Sequence, residues 1–225
     1  MANNYYDMTG VLVLDKVTPI IKALFDDFAL DHHGEGEAYF ACMAETNNPN
    51  WEDITERLYE ILEGYGVIAL PDDADQTTEN ILYSLASHFG ANDDVSFNNL
   101  IEHADFSECV DLDVLFDIAQ RLDDGHGLKA IKAEGCWHCD KPRLFEFGGN
   151  GEFYGRHFFT QATSSSALNL GSAVNDAIEA GDLDKAAEQF YKVATGLLAG
   201  ITDADVRDDI RTRLSSALST TSVSK

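Results

Sequence analysis

The chain has 225 residues with 40 Asp/Glu against 15 Lys/Arg, a formal net charge of −25, yet 44% of it is hydrophobic and 10% aromatic. That composition excludes a disordered acidic tail, which lacks the apolar residues for a core, and the charge disfavours direct binding to phosphate backbones. No apolar run approaches the roughly 20 residues of a membrane-spanning helix. The opening "MANNYYDMTG" has neither a basic nor an apolar leader region, so no secretory signal is expected. Four cysteines, three of them within Cys109–Cys139, make no disulfide framework at this length, and a reducing cytoplasm is the expected location.

In chain order, "TGVLVL" is predicted as a strand and "TPIIKALFDDF" as a helix with Pro19 in its first turn. "AYFACMA" follows as a second strand. In "NWEDITERLYEIL", Asn50 is placed to cap a helix whose apolar stripe is Ile54, Leu58, Ile61 and Leu62, with Gly64 and Gly66 ending it. Three more helices are expected at "TENILYSLASHF", "SFNNLIEHA" and "DLDVLFDIAQRL", the last capped by Asp111 with a stripe of Val114, Leu115, Ile118 and Leu122. After the turn "DDGHG" come three strand-like runs, "LKAIKAEGCW", "RLFEFGG" and "EFYGRHFFTQ", with "GGNG" at 148–151 as a hairpin between the last two. The remaining helices are "SSSALNLGSAVNDAIEAG", "DLDKAAEQFYKVATGLLAG" and "TDADVRDDIRTRLSSAL", with Thr202 and Asp205 spaced as a capping box and Gly181 and Gly200 as C-terminal stops.

These elements define a helix-rich α+β protein with an N-terminal β-α-β-α unit, a central antiparallel three-strand meander and C-terminal helices. The expected regions are 1–122, acidic and α/β to helical; 123–162, the meander; 163–218, helical; and 219–225, a flexible tail. A chain of this length can hold all of them in one compact domain.

The charge is one-sided. Residues 1–120 carry 25 Asp/Glu and 3 Lys/Arg, whereas residues 121–225 carry 15 and 12. Adaptation to high salt would acidify both halves alike, so the asymmetry points to a binding face instead. Its candidate residues are Glu52, Asp53, Glu56, Glu60, Glu63, Asp72, Asp73, Asp75, Asp93, Asp94, Glu102, Asp105, Glu108, Asp111, Asp113 and Asp117. Duplex DNA carries about one charge per 1.7 Å of axis, and helices with carboxylates at successive turns approximate such an array. The basic residues Lys129, Lys132, Lys141, Arg143 and Arg156, although interleaved with aromatics, are expected to balance neighbouring acids.

No nucleophile elbow, zinc-protease helix, calcium loop or phosphate loop is present, and no catalytic residue is expected. "GCWHCDKP" holds one C-x-x-C pair, and a structural zinc site needs two further ligands. The only neighbours that could complete it with Cys136, His138 and Cys139 are Cys109, His126 and His157, none at a diagnostic spacing, so neither metal nor cofactor is expected. A dithiol of the thioredoxin kind is disfavoured because no helix follows the pair. "HHGEGE" at 32–37 and "DDGHG" at 123–127 mix His with carboxylates, but glycine and aspartate are also what a surface turn requires.

The stretch "CWHCDKPRLFEFGGNGEFYGRHF" with "SSSALNLGSAVNDAIEAGDLDKAA" resembles an uncharacterised protein family of proteobacterial plasmids, integrative elements and phages. In charge and size the chain is also similar to the acidic DNA-mimic antirestriction and anti-CRISPR proteins of such elements. That resemblance implies a counter-defence inhibitor, with no enzymatic activity, whose partner is the basic nucleic-acid-binding surface of a host defence complex. The alternatives are an acidic protein-interaction module without mimicry, and a small zinc-containing accessory protein. Binding to nucleic acid or membrane is not expected; for the C-terminal helices, self-association into a homodimer is.

Overall fold

The computed structural model describes residues 3–66, 76–107, 109–141 and 146–220. It is an α+β fold of eight α-helices and five strands among those residues, divided into two units, Met1–Phe147 and Gly148–Lys225. None of the described helices is long and apolar enough to cross a membrane.

In the first unit, β1 (Asn4–Lys16) is the middle strand, flanked by β2 (Glu35–Met43) and β3 (Ala130–Cys139), both antiparallel to it. The pleat sorts the side chains. Met8, Leu12, Ala38, Phe40, Ile131 and Ala133 lie on one face and are buried, whereas Thr9, Tyr39, Lys132 and Glu134 are exposed on the other. Phe40 stands opposite Gly10, and a Cβ on Gly10 would collide with the Phe40 ring and the Lys132 carbonyl. Glycine is required there by close packing.

The buried sheet face shares its core with α1 (Pro19–Phe25), α2 (Trp51–Gly64), α3 (Thr78–Phe89), α4 (Val95–His103) and α5 (Leu112–Arg121). The caps are local chemistry. The Asn50, Thr77 and Asp94 side chains accept the backbone N–H groups of Asp53, Asn80 and Phe97. Behind the caps run the expected apolar stripes: Ile54, Leu58 and Leu62 on α2, and Leu115, Ile118 and Leu122 at α5, are buried. Arg57, the one lysine or arginine between Lys22 and Arg121, is turned inward. Its guanidinium makes two bonds of 3.0 and 2.7 Å to Asp27 and a third of 3.0 Å to the Ala23 carbonyl, tying α2 to α1.

The second unit holds β4 (Gly148–Gly155) and β5 (Phe159–Thr163), an antiparallel pair, followed by α6 (Ser164–Glu179), α7 (Leu183–Ala199) and α8 (Ala204–Thr220). Gly181 has φ of 72°, the left-handed turn that ends α6. Gly200 has an ordinary φ of −70° and is held small for another reason: the Phe159 carbonyl occupies the space of its Cβ.

Three expectations are corrected. The three-strand meander is not the organising unit, because β3 is paired along its whole length with β1 and belongs to the first unit. "GGNG" is not a hairpin turn: Gly148–Gly151 lie inside β4, and the chain reverses at residues 156–158. Residues 142–145 of the expected "RLFEFGG" strand lie outside the described residues. At α8 the Asp203 side chain, not Thr202, accepts the first helical N–H groups, those of Asp205 and Val206.

Candidate functional site

α2 carries Glu52, Glu56 and Glu60 one turn apart, opposite its buried stripe and all exposed. They form one wall of an open groove of about 1190 Å³ whose other walls are residues 76–79, at the start of α3, and residues 103–107, at the end of α4. Asp105 projects there, its carboxyl held below the usual range by the Ser107 hydroxyl and N–H. The walls include aromatics: Tyr59, Phe106 and the buried Trp51, whose ring meets Phe106 edge-on at 4.8 Å. The indole N–H of Trp51 is buried and has no hydrogen-bond acceptor among the described residues.

Five carboxylates, Glu52, Glu56, Glu60, Glu79 and Asp105, therefore converge, and none makes an ion pair among the described residues. Four of the five stood among the residues expected from sequence, but their convergence did not. Glu79, Trp51, Phe106 and His103 were missed. Glu79 was legible as the acid in the first turn behind the Thr77 cap, while Trp51 and Phe106 meet only in the tertiary fold.

The other expected acids serve different ends. Asp53 bonds Asn50 at the start of α2, and Asp111 stands at the N-cap of α5. Asp94 caps α4 and, with Asp117, holds Arg121, at 3.3 and 2.9 Å. The Phe97 N–H and Arg121 hold the Asp94 carboxyl below its ordinary value, whereas burial pushes that of Asp117 up against the pull of Arg121. Glu63 bonds Tyr59, Glu102 bonds Tyr83, and Asp93 and Asp113 are exposed. Asp72, Asp73, Asp75 and Glu108 lie outside the described residues.

This division gives a first expected result. Asp94→Ala removes a cap and an Arg121 partner and costs about 1–2 kcal/mol, whereas Asp93→Ala next to it stays within about 0.5 kcal/mol. The carboxyl of Asp94 is lowered on folding, so its contribution is present above the ordinary value of 3.8 and is lost as pH falls through the folded value. Urea titrations of the two variants at neutral and acidic pH check this; equal losses at neutral pH would contradict it.

The C-x-x-C pair is split by the pleat. Cys136 faces Asp7 across the β1–β3 register on the open face and is exposed, whereas Cys139 is opposite Asn4 on the covered face and is buried. They cannot chelate one ion together. Instead Asp7, Cys136 and His138 present ligand atoms within 4.8 Å of one another, with the Tyr5 ring stacked on His138 and the Ala44 N–H on Asp7. This set offers one oxygen, one sulfur and one nitrogen, which can hold a soft divalent ion in three of four positions. Asp123, Asp124 and His126 also cluster, but both nitrogens of His126 are occupied. Nδ1 accepts the Leu128 N–H at 2.8 Å, so Nε2 carries the proton and donates to the Ala119 carbonyl at 3.1 Å.

Three residues along a strand span about 10 Å, beyond the ~7 Å a disulfide can bridge. Iodoacetamide on the folded protein should therefore alkylate Cys136 quickly and Cys139 only as fast as the sheet opens. Peptide mapping after mild oxidation should find no Cys136–Cys139 disulfide; finding one would contradict this register.

No protein-family model, no curated protein and no solved structure matches the chain.

Proposed function

We propose that the protein is a non-enzymatic inhibitor whose acidic helical face occupies the basic nucleic-acid-binding surface of a protein complex, of the host-defence class. The observation that carries this reading is the set of five carboxylates around the α2–α3 groove, with no lysine or arginine among its described lining residues. Like charges held together without neutralisation weaken the fold, so a partner that supplies the counter-charge explains them. Spacing supports the comparison with nucleic acid. Residues four apart on a helix rise about 6 Å, against about 3.4 Å of axis per phosphate on one DNA strand. α2 alone thus supplies about half that linear density, and Glu79 and Asp105 add charge opposite it.

A second reading has its own observation. The carboxylates line a concavity with aromatic walls, the shape that receives a protruding Lys- or Arg-bearing segment rather than one that enters a basic cleft. On that reading the protein is an acidic interaction module without mimicry.

Affinity capture with the full chain, followed by competition, separates the two. Under mimicry the captured partner binds double-stranded DNA or RNA, nucleic acid displaces the protein from it, and the protein alone binds none. A captured partner with a basic segment but no affinity for nucleic acid favours the interaction module. A partner whose binding does not involve the acidic groove overturns both.

A further inference from the structure

The open face of the first unit's sheet holds metal-binding side chains that the acidic groove does not use. Tyr5, Asp7, Met43, Glu45, Thr46 and His138 line a hollow of about 350 Å³ there, with no lysine or arginine among them. The β1–β3 register sets Asp7 against Cys136 and Tyr5 against His138, and the β1–β2 register sets Met43 on the other side of Asp7. Paired residues share one face of the pleat. Met43, Asp7 and Cys136 therefore form a row across three strands, with His138 two residues beyond Cys136 on the same face. Glu134, exposed two residues to the other side of Cys136, adds to a negative field that draws cations.

The three ligands are held but not consumed by the fold. The Ala44 N–H donates to Asp7 Oδ1 at 2.9 Å, which orients the carboxylate and leaves Oδ2 without a hydrogen bond among the described residues. The Tyr5 ring stacks on His138, centroids 5.2 Å apart and planes within 23°, and neither imidazole nitrogen makes a hydrogen bond among the described residues. Cys136 is an exposed free thiol. One ligand atom from each of Asp7, Cys136 and His138 lies within 4.8 Å of the others. Ligands about 2.0–2.3 Å from a tetrahedral zinc stand roughly 3.5 Å apart, so small side-chain rotations on a fixed sheet close the set. The donors also select the ion. Magnesium and calcium take oxygen ligands and Cu(I) takes soft ones, whereas zinc accepts carboxylate, imidazole and thiolate together.

We propose that Asp7, Cys136 and His138 form a zinc site that ties β1 to β3 on the open face of the sheet, with water as the fourth ligand. The site excludes Cys139, and its ligands come from positions more than a hundred apart, so no local spacing announces it. The inference does not rest on the function proposed above.

Zinc titrated by calorimetry into the reduced, metal-stripped full chain should bind at one ion per chain. Cobalt in its place should give the near-ultraviolet charge-transfer band of a thiolate ligand, absent in Cys136→Ser. Asp7→Asn, Cys136→Ser and His138→Gln should each weaken zinc at least about tenfold with unchanged circular dichroism. Cys139→Ala and Asp123→Asn should leave the affinity as it is. In the wild-type chain, zinc should slow alkylation of Cys136 by iodoacetamide at least about tenfold, because the bound thiolate is no longer the free nucleophile. Cys109, also exposed, should stay reactive and serve as the internal control. This last measurement needs no variant and decides the matter if one unfolds. A chain that binds no zinc, binding that survives loss of Cys136 and His138, or equal protection of Cys109 overturns the proposal. So does binding lost in a folded Cys139→Ala chain, which would restore the C-x-x-C chelate.

Discussion

Conversion of Glu52, Glu56, Glu60 and Glu79 to lysine is expected to abolish association with a basic partner while leaving the helical circular-dichroism signal intact. All four line one groove and none makes an ion pair among the described residues, so their reversal breaks no pair. Its cost to the fold is about 0.3–1 kcal/mol at each of Glu52 and Glu79, which stand in the first turns of α2 and α3. At a partner surface each reversal exchanges an attraction for a repulsion. At about 1 kcal/mol apiece, four amount to about 4 kcal/mol, or roughly a thousandfold in Kd. Wild-type association should be fast at low ionic strength and fall steeply with salt, because the Debye length shrinks from about 10 Å at 0.1 M to about 3 Å at 1 M. Surface plasmon resonance of wild-type and reversed chains against the captured partner, across a salt series, measures both effects. Salt-insensitive binding that survives the reversal would place the contact elsewhere and remove the case for mimicry. Asp94 makes a poor target for this experiment, because its reversal also breaks the α4 cap and an Arg121 contact.

His126→Ala is expected to be among the most damaging single substitutions in the first unit, at about 3–5 kcal/mol. The ring is fully buried and joins two elements that would otherwise end badly. It caps the Ala119 carbonyl, one of the last four of α5, and it receives the Leu128 N–H just before β3 begins. Alanine leaves a cavity and strands both backbone groups in the core. Against a total stability of about 5–15 kcal/mol for a typical domain, that loss is a large fraction. His103→Ala, at an exposed position, should stay within about 0.5 kcal/mol. Chemical denaturation of the two variants gives the comparison, and a loss below 1 kcal/mol for His126→Ala would refute the bridging role. Because both imidazole nitrogens are committed, chelator or added zinc should leave the wild-type melting temperature unchanged through this cluster.

Much of the secondary structure was legible in the sequence, because its determinants are local. Asn50 reaches Asp53, Asp94 reaches Phe97, and Leu58 follows Ile54 by one turn whether or not the rest of the chain is folded. The same holds for the charge asymmetry, a property of composition, and for the α+β class, which follows from the two periodicities. Sequence also named most of the acids that line the groove. It did not separate them from the acids that cap helices or hold Arg121, since both kinds look alike until their neighbours are known.

Tertiary structure alone decided which distant segments meet. β3 lies beside β1 through pairing of residues more than a hundred positions apart, and no local signal distinguishes that from a meander with the strands that follow it. Gly200 stops α7 as expected, but it must be glycine because the Phe159 carbonyl lies against it, a contact that turn chemistry does not encode. The groove exists because the caps of α2 and α3 and the loop after α4 converge on Trp51 and Phe106. The C-x-x-C pair reads as a chelate in one dimension and is separated by the pleat in three. Local hydrogen bonds and side-chain periodicity act over about four residues, so a linear reading captures them. Pairing, close packing and the convergence of charge depend on which of many long-range closures buries the most apolar surface, and only the folded chain makes that choice.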